Sequence, residues 1–326
     1  MANTKKVLII RLSSIGDIVL TSALVRCLYQ SGYHHIDFLT KSNYAEVAKA
    51  IPYISKVLTV KETLLATASM IRVQHYDLVI DLHHKIYTIA LRLMLPTHKF
   101  YVWKKQSLQK RLYVFTKLQR FLPQFPVVQS YFNAIKKLNI TYDHNGIAFQ
   151  IDTKAIEIPI TLPPNYNVWV MGATHFTKRM PIVNAADIIN SFTLPTLLIG
   201  GKDVKDEAEN LQILTAAKTI NLCGRTNIAT SAFLMQNASC TYTQDTGMMH
   251  IAAALDCTII SFWGGTIPEM GFKPLVLKES DSIIIEKKDL SCRPCSKYGR
   301  KYCPKKHFSC MKLSSEYFKT IPLLKS

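Results

Sequence analysis

Short apolar, β-branched runs alternate with amphipathic stretches along most of this chain, and that alternation predicts a parallel α/β architecture. Lys5-Lys6-Val7-Leu8-Ile9-Ile10-Arg11-Leu12 reads as a strand buried on both faces. It runs through Ser13-Ser14-Ile15-Gly16-Asp17 into a helical pattern at Ile18, Leu20, Leu24, Val25 and Leu28. Strands are predicted near residues 5–12, 36–40, 57–60, 77–82 and 99–103, with helices near 17–30, 43–50, 63–74, 85–95 and 107–121. A further helix near 127–139 ends in a polar turn from Asn139 to Gly146, and the segment from Ile151 to Asn167, with Pro159, Pro163 and Pro164, reads as a linker. Strands near 167–172, 196–200, 219–223, 239–243 and 257–262 then interleave with helices near 181–191, 205–217, 228–237 and 247–255. Pro268 and Pro274 mark a loop, and Ser282 to Ile285 is the last predicted strand. The expectation is an α/β protein of two Rossmann-like domains, 1–155 and 156–326, with parallel sheets facing across a cleft and the last helix free to pack back on the first domain.

A chain of 326 residues has the length for two hydrophobic cores. No apolar run approaches the ~18–20 residues that span a bilayer. Arg11 ends the first apolar run too early for a signal peptide, so a cytoplasmic location is expected. Charge adds something the hydrophobic pattern does not show. From Leu82 to Tyr142 there are 11 Lys or Arg and no Asp or Glu, and from Leu290 to Ser315 there are 7 more without an acid. These two stretches carry the whole formal charge of +18. Nucleic acid, an anionic membrane or an anionic substrate would each suit such segregation. In the first stretch Phe100, Tyr101, Trp103, Leu108, Leu112, Tyr113 and Phe115 lie among the cations, a mixture fitted to lipid head groups. The solvated face of ordinary amphipathic helices is the plainer alternative. Nucleic acid is not the expected partner, because no recognised binding motif is present.

The strand Cys240-Thr241-Tyr242-Thr243 runs into Gln244-Asp245-Thr246-Gly247-Met248-Met249-His250 and then the small-residue helix Ile251-Ala252-Ala253-Ala254. Asp245 and Thr246 are N-cap candidates, and Gly247 lets backbone approach a ligand. A helix start of this kind suits phosphates, although such turns recur throughout α/β folds. With the Ser13–Asp17 turn there is one strand–turn–helix site in each half, as a ligand held between two nucleotide-type domains requires.

Arg11-Leu12-Ser13-Ser14-Ile15-Gly16-Asp17-Ile18-Val19 together with Asp245-Thr246-Gly247-Met248-Met249-His250 resembles the ADP-heptose:lipopolysaccharide heptosyltransferase family, glycosyltransferase family 9. Gly172-Ala173-Thr174-His175 with Lys178 and Pro181, and Ile199-Gly200-Gly201, are similar to that family's donor segments. The resemblance implies a GT-B fold and inverting, metal-independent transfer of heptose from ADP-heptose to a lipopolysaccharide inner-core acceptor, which is an anionic glycolipid. It implies Asp17 as catalytic base and Thr174, Lys178, Glu207, Asp245, Thr246, Gly247 and His250 as donor contacts. Ser13, Ser14, Gly16, Lys104, Lys105 and Arg111 are the expected acceptor contacts, and the enzyme would sit peripherally on the inner face of the inner membrane. Arg179 and Met180 follow Lys178 where the family commonly has His or Arg and then Trp, so which basic residue meets the diphosphate stays open. Asp206 fits the ribose role nearly as well as Glu207. Asp17 and His250 could equally serve as cap or packing residues. A different nucleotide-sugar donor, or a non-catalytic basic nucleic-acid binder, is the competing reading. No Asp-x-Asp clamp for a divalent ion occurs, so no cofactor is expected for catalysis.

Cys27, Cys223, Cys240 and Cys257 stand in apolar contexts and are expected as buried thiols. Cys292, Cys295, Cys303 and Cys310 are spaced C-x2-C-x7-C-x6-C. A reducing compartment disfavours disulfides, and the spacing allows a structural zinc.

Overall fold

The computed structural model describes residues 5–215 and 218–319. It divides into two compact units, Met1–Ser107 with Gln124–Gln150, and Leu108–Pro123 with Ile151–Ser326. Among the described residues eleven strands form two sheets in which every pairing is parallel.

The first unit holds β1 (Lys6–Ile10), β2 (His35–Thr40), β3 (Lys56–Thr59), β4 (Leu78–Asp81) and β5 (Lys99–Val102), in the order β3-β2-β1-β4-β5. Val7, Leu8, Ile9 and Ile10 are fully buried, which accounts for the unbroken apolar run of β1. Strand order reverses between β1 and β4, so the turns leaving these two strands diverge and open a crevice at their carboxyl ends. The helix expected over 17–30 is two helices, Ile15–Val19 and Ser22–Gln30. The Thr21 hydroxyl donates to the Ile18 carbonyl at 2.7 Å, a local bond that competes with the continuing helix. Arg26 forks onto Asp143 with two bonds of 2.8 Å and onto the Gly146 carbonyl at 2.9 Å, fastening the Asn139–Gly146 turn.

The second unit holds β6 (Asn167–Val170), β7 (Thr196–Ile199), β8 (Thr219–Asn221), β9 (Cys240–Gln244), β10 (Ile259–Trp263) and β11 (Ser282–Glu286), in the order β11-β10-β9-β6-β7-β8. Counted from β6, this is the doubly wound nucleotide-binding order, with its reversal between β6 and β9. Trp169 on β6 centres the core, with ring centroids 5.8 Å from Tyr242 and 5.3 Å from Phe262. Gly172 just after β6 has φ +75, and a Cβ there would lie 2.6 Å from Val204. Only glycine fits that turn.

The basic helix predicted over 107–121 runs from Ser107 to Thr116 and ends where Lys117 turns left-handed (φ +59). Residues Leu108–Pro123 belong to the second unit, whereas the sequence reading gave them to the first. The reason is packing, since Tyr113 clusters with Ile267 and Met270, and Val114, Phe121 and Leu122 lie against that cluster. The helix expected over 205–217 is Lys205–Leu214; residues 216–217 lie outside the described residues. The last described helix, Ser315–Lys319, is fixed by Ser315, whose N–H and hydroxyl donate to Asp187 at 2.7 and 3.1 Å. Residues 320–326 lie outside the described residues. No described helix is long and apolar enough to cross a membrane.

Candidate functional site

In the second unit the turns after β6 and β9 leave the sheet at its switch point. Lys178, in the short 3-10 turn Phe176–Lys178, places Nζ 2.6 Å from Oδ2 of Asp245, and the Thr266 hydroxyl donates to the same oxygen at 2.7 Å. The exposures of these side chains, 15% for Lys178 and 7% for Asp245, keep the pair largely out of water, where its attraction is little screened. Asp245 is therefore not a helix cap, as its position before the helix suggested. The N-cap of helix Gly247–Ala254 is Thr246, whose side chain makes no capping bond and stands 3.3 Å from the Thr243 hydroxyl. Gly247 is half-buried at the helix start, and His250 is buried within the helix. Burial and the adjacent Lys178 charge hold His175 below the usual histidine range, against a smaller opposing pull from Asp245.

Lys178 and Arg179 part company. Arg179 points away from Asp245, donating to the Ala173 carbonyl (2.8 Å) and Glu207 (2.9 Å), with Asp203 3.7 Å away. Glu207 is thus engaged by Arg179, while Asp206 and Thr174 are exposed. The glycine at position 200 is a packing requirement, because a Cβ there would meet Val204 at 2.7 Å.

In the first unit the turn after β1 carries Asp17 as the third residue of helix Ile15–Val19. Its Oδ2 lies 2.5 Å from the Arg11 guanidinium and receives the Ser14 hydroxyl (3.1 Å) and the Ser14 N–H (3.3 Å). Desolvation pushes the Asp17 pKa up, but the Arg11 charge and the Arg11 and Ser14 hydrogen bonds outweigh it and hold the carboxyl below the ordinary aspartate range. Asp17 closes the capping box with Ser14, and its side chain is still 24% exposed. Ser13 is half-buried, Ser14 exposed and Gly16 buried.

Arg11 also donates to the carbonyls of Ser13 and Leu82 and lies over the Trp103 ring. Lys105 donates to the His83 carbonyl and sits over the same ring, while Lys104 is exposed. Burial, with Arg11 and Lys85 close by, draws Lys105 down to about 8. The same cations and burial draw His83 to about 3, so its imidazole is neutral. Arg111, expected among the acceptor contacts of the first domain, is exposed on the second unit's helix.

Cys27, Cys223, Cys240 and Cys257 are buried free thiols, as expected. The other four cysteines line one cavity of about 300 Å³. Among the described residues no group of three or more His, Cys, Asp or Glu side chains is placed to hold a metal ion. Cys292 faces His307 at 3.8 Å, Cys295 donates to the Gly265 carbonyl at 3.5 Å, and Cys310 is packed in the apolar core, which Cys303 adjoins.

Arg11 as the partner of Asp17, Thr266 as a partner of Asp245, and Arg293 on the Thr266 carbonyl were not foreseen from the sequence. Arg11 stood in the quoted motif; Thr266 and Arg293 carried no local signal, because their roles depend on contacts across 21 and 27 residues.

Two all-parallel sheets, each with polar turns at its reversal point, define a protein of the two-unit, doubly wound α/β class. Residues 64–306, about three-quarters of the chain, match the model of glycosyltransferase family 9 (heptosyltransferase), and the chain belongs to that family. Its fold is similar to that of a family 9 glycosyl transferase from Veillonella parvula, with TM-score 0.72, 19% identity and coverage of 88% of this chain and 87% of that one. It is also similar to the ADP-heptose lps heptosyltransferase II of E. coli (0.70, 16%, 93% and 96%) and to E. coli heptosyltransferase WaaC with ADP (0.68, 18%, 96% and 98%). The two E. coli proteins are heptosyltransferases, and at such identities the likeness shows the fold alone, which is of the GT-B type. Lipooligosaccharide heptosyltransferase 2 of Haemophilus influenzae is 35% identical over 80 residues, a match spanning 24% of this chain and 23% of that protein.

Proposed function

We propose that this protein is an inverting, metal-independent heptosyltransferase that uses ADP-heptose and a lipopolysaccharide inner-core acceptor. The observation that carries this reading is the buried Lys178–Asp245 pair at the β6/β9 switch point of a family 9 chain. Lys178 is the cation for the departing diphosphate, because charge that accumulates on the leaving oxygen is stabilised more in the transition state than before it. Asp17, ionised at neutral pH, accepts the proton of the acceptor hydroxyl. That oxygen bonds the anomeric carbon as the bond to the diphosphate oxygen breaks. Thr246, Gly247 and the helix start behind them offer N–H groups to phosphate, and fixed cations and N–H dipoles take the part a divalent ion plays elsewhere.

The acceptor is an anionic glycolipid, and the protein meets the membrane peripherally at its inner face. Helix Ser107–Thr116 supports this, for Leu108, Leu112 and Phe115 are exposed at helical spacing beside exposed Arg111, with Phe115 88% exposed. An apolar stripe flanked by cations suits an anionic bilayer surface. Sedimentation with phosphatidylglycerol vesicles, but not phosphatidylcholine vesicles, and its loss in Phe115→Asp would bear this out.

The decisive assay incubates the protein with ADP-heptose and a deep-rough lipopolysaccharide acceptor in EDTA and follows ADP release. Turnover that needs Mg²⁺ or Mn²⁺ would overturn the metal-independent mechanism, and turnover only with another nucleotide sugar would overturn the donor.

A further inference from the structure

Arg293, between the two cysteines of the Cys292-Arg293-Pro294-Cys295 motif, is buried and saturated with partners. Its Nε donates to the Gly264 carbonyl at 2.6 Å, and one terminal nitrogen reaches the carbonyls of Trp263 (3.1 Å) and Thr266 (3.0 Å) and Glu286 (2.8 Å). A single guanidinium thus grips the whole turn that leaves β10. No Lys could do this, since the bonds need the planar fork.

That turn in its turn holds both members of the charged pair. The Thr266 hydroxyl donates to Asp245 (2.7 Å), and the Gly265 N–H donates to the Thr177 carbonyl (2.9 Å), the residue before Lys178. The cysteine-bearing segment braces Thr177 from a second direction: the Thr177 N–H donates to the Arg300 carbonyl (3.1 Å), and the Arg300 N–H donates to the Thr177 hydroxyl (2.8 Å). Cys295 N–H donates to the Gly265 carbonyl at 3.0 Å. There is no slack at the centre, because a Cβ on Gly265 would lie 2.8 Å from the Thr177 hydroxyl and 2.9 Å from the Cys295 sulfur. Lys178, Asp245, Thr266, Gly265 and Thr177 form a closed ring of contacts, and Arg293 ties that ring to the 292–300 loop.

We propose that Arg293 is a positioning residue of the donor site, acting through the Gly264–Thr266 turn to set the Lys178–Asp245 pair. The proposal rests on the reading in which that pair meets the donor diphosphate. A residue that merely held the fold together would lower stability without favouring one substrate over the other, whereas a positioning residue for this pair acts on the nucleotide alone.

The experiment compares wild type with Arg293→Lys, Thr266→Val and Thr266→Ser, measuring ADP affinity by calorimetry, KM for each substrate, and thermal unfolding. Arg293→Lys keeps the charge and loses the fork; Thr266→Val keeps the shape and loses the bond to Asp245. The expected result is a fall in ADP affinity and a rise in donor KM of about tenfold or more in both, an unchanged acceptor KM, and recovery of ADP affinity in Thr266→Ser. Should Arg293→Lys not fold, Thr266→Val and its serine rescue carry the test alone. Wild-type-like ADP affinity in a folded Thr266→Val or Arg293→Lys overturns the positioning role while leaving the donor reading intact. A wild-type protein that binds neither ADP, UDP nor GDP overturns both.

Discussion

Asp245 receives the Lys178 ammonium at 2.6 Å and the Thr266 hydroxyl at 2.7 Å on one carboxylate oxygen. Under the proposed function Lys178 moves from this carboxylate to the donor diphosphate, and the Thr266 hydrogen bond then offsets only part of what Asp245 loses.

Lys178→Gln should lower kcat by about 10²–10³-fold, the usual effect of losing one group that stabilises developing charge. It should also lower stability by about 3–5 kcal/mol, because Asp245 is left charged and buried. Adding Asp245→Asn should recover much of the stability and none of the activity, as thermal melts and ADP-release rates will show.

Asp17→Asn should reduce kcat by about 10²–10⁴-fold, the range for removing a general base, with ADP affinity unchanged by calorimetry because the proposed base acts on the acceptor hydroxyl. Ser14→Ala removes a bond that favours the ionised carboxyl, so the acid limb of the kcat/KM profile should move to higher pH. A limb that moved down or stayed fixed would count against Asp17 as the titrating group.

Asp143 is drawn down to about 2, first by its hydrogen bonds from Arg26. Its folded pKa lies below the unfolded value of ~3.9, so the stability it supplies is present above about pH 4 and is lost as pH falls through about 2. That contribution is about 2 kcal/mol at neutral pH. Asp143→Asn should therefore lie below wild type by about this amount in denaturant unfolding at pH 7, with the gap closing towards pH 2.

Gly172→Ala meets both a φ of +75 and Val204 at 2.6 Å. A loss of about 1–3 kcal/mol is expected, partly relieved by adding Val204→Ala, and thermal unfolding of the two variants will measure it.

Much of this fold is legible in the sequence because the sheets are parallel and buried on both faces. Strands such as Val7–Ile10 and Ile259–Trp263 must then be nearly all apolar, and the helices between them amphipathic. The Asp17 and Asp245 turns are legible for a related reason, since each lies within a dozen residues of contiguous chain. The helix around Leu108–Leu118 was not assigned to the right unit, because its neighbour in sequence is the first sheet while its packing partners are Ile267 and Met270.

By itself, then, the chain determined the two Rossmann-like sheets, the polar turns at their reversal points and the family to which they belong, all features written in local periodicity and short motifs. Only the tertiary structure decided that Lys178 rather than Arg179 meets Asp245, that Arg11 grips Asp17, and that Arg293 clamps the Gly264–Thr266 turn. A charged side chain's partner depends on which distant backbone folding brings within about 3 Å of it, and no neighbouring residue in the sequence records that distance.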